Sequence, residues 1–358
     1  MRKSVSSTII AAIIIIIIII AGIGGYFYYI SITKPKAPVS HVAKIAVLLP
    51  YVTNDFGWNQ DMYQAITRIG QVYHVNYTVD ANLGYSTSAV ESALEYYASN
   101  GYNIIIAWTN SWQQAILTVA PNYPNTWFID SDLSNFTNPS TGQPEKNVIS
   151  IATDVPMAYG AYVAGVLAAY LTKTGIIGFQ AGYSYPSMNA IGNAFLAGAR
   201  SVNPNIKLVY DFPGSWGDVE KGYIGAQSLI AAGADVILFR GDGQTLGGEQ
   251  ACAAAGVYAI GDMLNQSSIN PNVIVASNMY NDTLVLQSIL QRFNNNTLSE
   301  WADKNVYIPG VGFLLLGPKV SSLLTPQQLH YVEQIDQGVI NGSISVPINY
   351  TLPPSGAA

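Results

Sequence analysis

The sequence predicts an α/β protein of two doubly wound parallel-sheet lobes, with a transmembrane helix at its N-terminus. Three observations predict it. Apolar strands alternate with helices along most of the chain, the pattern of a parallel sheet covered on both faces. A length of 358 residues exceeds most single cores and suits two lobes of ordinary size. A long apolar run, preceded by Arg2 and Lys3, opens the chain.

That run extends from Ile9 to Ile32. As a helix it measures about 36 Å, enough for a hydrocarbon core of about 30 Å. Tyr26, Phe27, Tyr28 and Tyr29 stand where an interfacial aromatic belt belongs. The preceding basic residues place the N-terminus in the cytoplasm and the lobes outside. A removable export signal is the competing reading, but the run is longer than the usual apolar region of about 7–15 residues. No small-x-small cleavage site follows it, and no Cys is there for a lipid anchor. The start, Arg2 to Ile9, also resembles archaeal pilin-like signals, which are cut before a helix that stays on the protein. Residues 1–33 are therefore read as signal or anchor, and 34–43, containing Pro35 and Pro38, as a tether.

In the first lobe, strands are expected at 44–50, 75–79, 103–107 and 126–130, with helices at 58–73, 86–99 and 111–120. In the second, helices are expected at 157–173, 186–202, 219–232 and 243–255, with strands at 175–180, 206–212, 235–239 and 257–262. A strand at 273–277 and a helix at 282–293 follow. The lobes are thus placed at 44–153, completed by about 265–294, and at 154–264, completed by about 305–346.

Charged residues make up only 10% of the chain, and the net charge is -6. No basic footprint for nucleic acid exists. Polarity comes from Asn, Ser, Thr, Gln and 24 Tyr, a surface whose charge changes little in acid. Seven Asn-x-Ser/Thr sequons, at Asn76, Asn135, Asn265, Asn281, Asn295, Asn341 and Asn349, favour an exported glycoprotein. The single Cys252 reads as a small apolar residue on a helix, and the three His are scattered, so neither a disulfide nor a metal cluster is expected. No cofactor is implied.

Open parallel sheets bind ligands beyond the carboxyl ends of their strands. Those ends carry Asp55, Trp58 and Asn59, then Trp108, Asp130, Trp216, Asp242 and Asp262. The recurring chemistry is an aromatic face, an amide and a carboxylate. Aromatic faces stack on flat neutral rings, while carboxylates and Asn accept or exchange hydrogen bonds with hydroxyls and base edges. Each residue has a plainer alternative. Asp55 could cap a helix, and Trp58, Trp108 and Trp216 could pack the lobes. Asn59 could satisfy backbone, Asp130 and Asp242 could shape turns, and Asp262 could cap or solvate. No His or Arg cluster lies among the main strand ends, so a phosphate or dicarboxylate is poorly matched and a neutral ligand is expected. No nucleophile–base pair, Gly-x-Ser-x-Gly or P-loop Lys points to an enzyme.

At these residues the chain resembles the basic membrane protein family of nucleoside-binding receptors, solute-binding components of ABC importers. The segments that carry the resemblance are 55–60 (Asp-Phe-Gly-Trp-Asn-Gln), 164–179, 214–222 (Gly-Ser-Trp-Gly-Asp-Val-Glu-Lys-Gly), 232–237 and 335–342. It implies a type I periplasmic-binding-protein fold and an extracellular ligand partner, with permease and ATPase subunits as further partners. It also implies a purine sandwiched between Trp58 and Trp216, held by Asn59 and Asp130, with Asp262 on the ribose hydroxyls. The family usually has Phe at both Trp positions, a Gly-Gly turn where Asp242-Gly243 stands, and a Lys near 278–280 that is absent here. A polyol or another aromatic solute is the alternative ligand. A ligand sensor and a nucleoside-acting enzyme are the alternative functions.

Overall fold

The computed structural model describes residues 43–355, so the expected N-terminal anchor and most of the tether lie outside the described residues. Among the described residues no helix is long and apolar enough to cross a membrane.

The first sheet has the order β2-β1-β3-β4-β5-β11 and is parallel throughout. Its strands are β1 (Lys44–Leu48), β2 (Asn76–Asp80), β3 (Ile104–Ala107), β4 (Trp127–Ser131), β5 (Val148–Ile151) and β11 (Asn305–Val306). The helices between them are α1 (Trp58–Tyr73), α2 (Thr87–Ser99) and α3 (Gln113–Val119). The central strands are apolar on both faces because helices cover both; Ile104, Ile105 and Ile106 are all fully buried.

The second sheet has the order β7-β6-β8-β9-β10-β12. It contains β6 (Ile176–Ala181), β7 (Lys207–Asp211), β8 (Val236–Arg240), β9 (Tyr258–Met263), β10 (Ile274–Tyr280) and β12 (Gly312–Leu316). Its helices are α4 (Asp154–Leu171), α5 (Pro186–Val202), α6 (Val219–Ala231) and α7 (Gly243–Ala255). Cys252 lies fully buried on α7, as its apolar surroundings in sequence suggested.

Two features depart from the expected plan. β12 runs antiparallel to β10, which a short connection from β11 permits where a parallel return would need a long crossover. Residues 265–294 are also shared between the lobes. β10 pairs with β9 in the second sheet, and only α8 (Asp282–Asn294) packs against α1 of the first lobe. The later residues α9 (Val320–Leu323) and α10 (Pro326–Ile340) return to the second lobe, with α10 packed on α4 and β12.

The chain therefore passes between lobes three times, around 152–153, at Asn281 and across 307–311. The crossings are bonded to one another. Ala152 N–H donates to Val306 O (2.8 Å), Tyr280 OH to Ala152 O (3.1 Å) and Asn281 N–H to Val311 O (2.8 Å). Asp132, at a left-handed φ of 49°, accepts from the Thr153 N–H and hydroxyl and from the Asp154 N–H. A first-lobe carboxylate thus caps the first helix of the second lobe.

Small residues let α4 and α5 cross closely. A Cβ at Gly165 would overlap the Phe195 carbonyl oxygen and lie 2.7 Å from Ala199 N. A Cβ at Gly198 would overlap the Tyr162 carbonyl oxygen. Gly165→Val is expected to cost at least about 1–3 kcal/mol, because backbone must move to admit the side chain. A thermal midpoint equal to that of the parent would contradict this packing.

Candidate functional site

The carboxyl ends of both sheets face a cleft, and the lobes meet directly across it. The Trp58 N–H, in the first turn of α1, donates to Asp242 Oδ1 at 2.8 Å. Gln266 Nε2 donates to Phe56 O at 3.0 Å. Gly57 lies against Asp242 so closely that a Cβ there would overlap its Oδ1 and sit 3.0 Å from its Cα.

Asp55, two residues before the N-cap Gly57, caps the start of α1 with its side chain. Its carboxylate accepts from the N–H groups of Gly57 (3.2 Å), Asn59 (3.1 Å) and Gln60 (3.0 Å), the donors that a helix start leaves unpaired. Asn59 is buried, donates Nδ2 to Asp55 at 2.5 Å and accepts from Tyr51 N–H at 3.4 Å. Both side chains thus fix the loop that carries Trp58.

Trp58 is half-buried and stacks on Trp108 at 5.4 Å with a 17° interplanar angle. Its Nε1–H donates to Trp108 O at 2.8 Å. Trp108 itself is fully buried in the first-lobe core, the plainer of its two readings; it braces Trp58 from behind. Trp216 is half-buried beside the exposed rings of Tyr183 (5.5 Å) and Tyr185 (6.4 Å), and those two tyrosines stack on each other at 5.8 Å. Gly182 leaves room for it, since a Cβ there would overlap the indole. The Trp216 carbonyl accepts from the N–H groups of Asp242 and Gln244, both at 3.1 Å, tying the Gly-Ser-Trp loop to the start of α7.

Three carboxyls complete the set. Asp130 is fully buried; its Oδ1 accepts from Ser131 N–H at 2.6 Å and its Oδ2 has no partner among the described residues. Asp262 is fully buried; its Oδ2 accepts from Arg240 Nη1 at 2.7 Å and from Gly241 N–H at 3.1 Å, while Oδ1 has no partner among the described residues. Asp242 is 7% exposed.

Arg240 is the residue the sequence reading passed over. The strand expected at 235–239 runs one residue further, and Arg240 ends it inside the cleft. Arg240 stands singly at its strand end, not in a cluster, and is paired with Asp262. A lone basic residue directly before Gly-Asp-Gly, in a chain with only 15 Lys and Arg, was the available signal. Gln266 carried no comparable signal, because its role depends on how the lobes meet.

Burial raises several carboxyls above their ordinary range. Desolvation, then the neighbouring Asp55 charge, pushes Asp242 up to about 8. Desolvation, then Asp262, takes Glu249 to about 8. Asp61 and Asp154 rise to about 7, each chiefly by desolvation. Desolvation also holds Asp130 well above the usual value. An acid whose folded pKa is raised binds more protons folded than unfolded between the two values. Stability is therefore expected to fall as pH rises from about 4 to about 8, and Asp242→Asn should flatten the upper part of that curve. A melting midpoint that climbs between pH 5 and pH 8 would contradict it.

Comparison with known proteins adds the family. The family model Bmp, described as ABC transporter substrate-binding protein PnrA-like, matches residues 42–350. The chain belongs to this family. Among curated relatives, the ABC transporter nucleoside-binding protein BmpA of Lactococcus lactis subsp. cremoris is 30% identical over 216 residues, covering 60% of this chain and 56% of the relative. The transcriptional activator protein med of Bacillus subtilis is 26% identical over 259 residues, covering 72% and 77% respectively. An ABC transporter solute-binding protein from Conexibacter woesei superposes with a TM-score of 0.69 at 20% identity, covering 86% of this chain and 99% of that one. This likeness shows the shared two-lobed fold. The family is one of substrate-binding proteins.

Proposed function

We propose that the chain is the extracellular receptor of an ABC importer and closes its two lobes around a neutral nucleoside-like ligand. The observation that carries this reading is a braced indole close to a buried carboxyl that keeps one oxygen unpaired. Trp58 is held flat by Trp108, Arg240 stands 5.7 Å from its ring centroid, and Asp262, bonded to Arg240, keeps Oδ1 without a partner among the described residues. Buried polar atoms rarely go unpaired. A planar ring with donor groups, attached to a hydroxylated sugar, satisfies both. The nucleoside-binding name of the Lactococcus lactis relative supports the same ligand class.

In this reading Trp58 and Trp216 take the two faces of the base. Asn59 and Asp130 lie toward its edge, and Asp262 takes the ribose hydroxyls. Asp55 and Trp108 set the geometry, and Asp242 bridges the lobes. The N-terminal apolar run anchors the receptor, and closure presents both lobes to the permease and its ATPase.

A thermal-shift screen of nucleosides, free bases and sugars tests the ligand class, since a ligand at 100 times its Kd stabilises by about 2.7 kcal/mol. Nucleosides should raise the midpoint most. Trp216→Ala should weaken nucleoside binding by about 1–3 kcal/mol, the value of one stacked base. Unchanged affinity in that variant would remove Trp216 from the site, and no shift with any nucleoside would overturn the ligand class.

A further inference from the structure

Arg240 presents a recognition edge that the protein leaves empty. The side chain is 6% exposed. Its Nη1 donates to Asp262 Oδ2 at 2.7 Å, and this one contact leaves the Nε–Nη2 edge of the guanidinium open. Nε is buried with no hydrogen-bond partner among the described residues. The backbone behind it is fixed, because the Arg240 carbonyl accepts from Gln244 Nε2 at 3.0 Å. The guanidinium carbon stands 5.7 Å from the Trp58 ring centroid, so cation and indole share one side of the cleft.

A ring laid on Trp58 beside this group meets it edge to edge. Two parallel N–H donors in a plane match two adjacent acceptors in a plane. The O6 and N7 atoms of a 6-oxopurine are such a pair, whereas adenine offers N7 beside the N6 amino donor, which would point at a cation. We infer that Arg240 is a specificity-determining residue that reads the O6/N7 edge of a 6-oxopurine nucleoside, selecting inosine and guanosine over adenosine. The inference rests on the nucleoside reading above and adds the base class to it. It also gives the buried Nε the partner it lacks.

The test is isothermal titration of the full-length protein with inosine, guanosine and adenosine, and with 7-deazaguanosine as a probe lacking the N7 acceptor. Inosine and guanosine should bind about 5- to 150-fold more tightly than adenosine, the discrimination of one bidentate Arg contact. 7-Deazaguanosine should lose a large part of that advantage. Arg240→Lys keeps the charge beside Asp262 but removes the planar fork, so the preference should collapse to within a few-fold while ligand-free melting stays close to the parent. Equal affinity for adenosine and inosine in the parent overturns the role of Arg240 and leaves the nucleoside reading standing. Full affinity for 7-deazaguanosine overturns the O6/N7 contact even if Arg240→Lys fails to fold. Binding of no nucleoside at all overturns both readings together.

Discussion

Asp262→Ala is expected to destabilise the protein by about 3–5 kcal/mol, the cost of leaving one partner of a buried ion pair alone. Arg240 is 6% exposed and Asp262 fully buried, so water cannot replace the lost carboxylate. The same carboxylate accepts from Gly241 N–H at 3.1 Å, so the turn into α7 loosens as well. The double variant Arg240→Met with Asp262→Leu removes both charges and should recover most of the loss, because apolar replacement of a whole buried pair is often neutral or better. Chemical denaturation of the two variants decides the matter. A single variant as stable as the parent would mean that the pair is hydrated in solution.

Gly57→Ala is expected to weaken ligand binding by about 10-fold or more while leaving each lobe folded, because the closed arrangement becomes a minor state. The added Cβ would overlap Asp242 Oδ1 and lie 3.0 Å from the Asp242 backbone, so the bond from Trp58 N–H to that carboxyl could not form as it stands. The variant should also show a larger radius of gyration by small-angle scattering. Parent-like affinity and dimensions would show that closure does not require this contact.

Much of the fold was legible because its signals are local. The start of α1 at Trp58, of α5 at Pro186 and of α7 at Gly243 follows from breakers and caps written beside them. The strands at 104–107 and around 236–239 are short apolar runs that only a covered sheet explains. The division of 265–294 between lobes was not legible, since β10 and α8 are adjacent in sequence and separate only through long-range packing. The two-residue β11 is too short to carry a period.

The site was legible by kind more than by role. Position at a strand end singled out Asp130 and Asp262, and the structure buries both with an oxygen that no described residue pairs. The same position also singled out Trp108, because an indole after a strand reads alike whether it faces the cleft or the core. Asp55 and Asn59 bond to each other and to the helix start, so they shape the loop under Trp58. Arg240 was concealed by a strand boundary misplaced by one residue, and Gln266 by the need for the partner lobe.

The three linked crossings have a mechanical consequence. One cord between two bodies allows swivel in any direction, whereas three cords laced side by side behave as a strap with one easy bend. Ala152, Tyr280, Asn281, Val306 and Val311 are laced in this way. Opening then becomes travel along a single coordinate, and the gap between Phe56 and Gln266 is its natural ruler. One pair of fluorescent labels, placed on the rims beside those residues, would follow the entire motion.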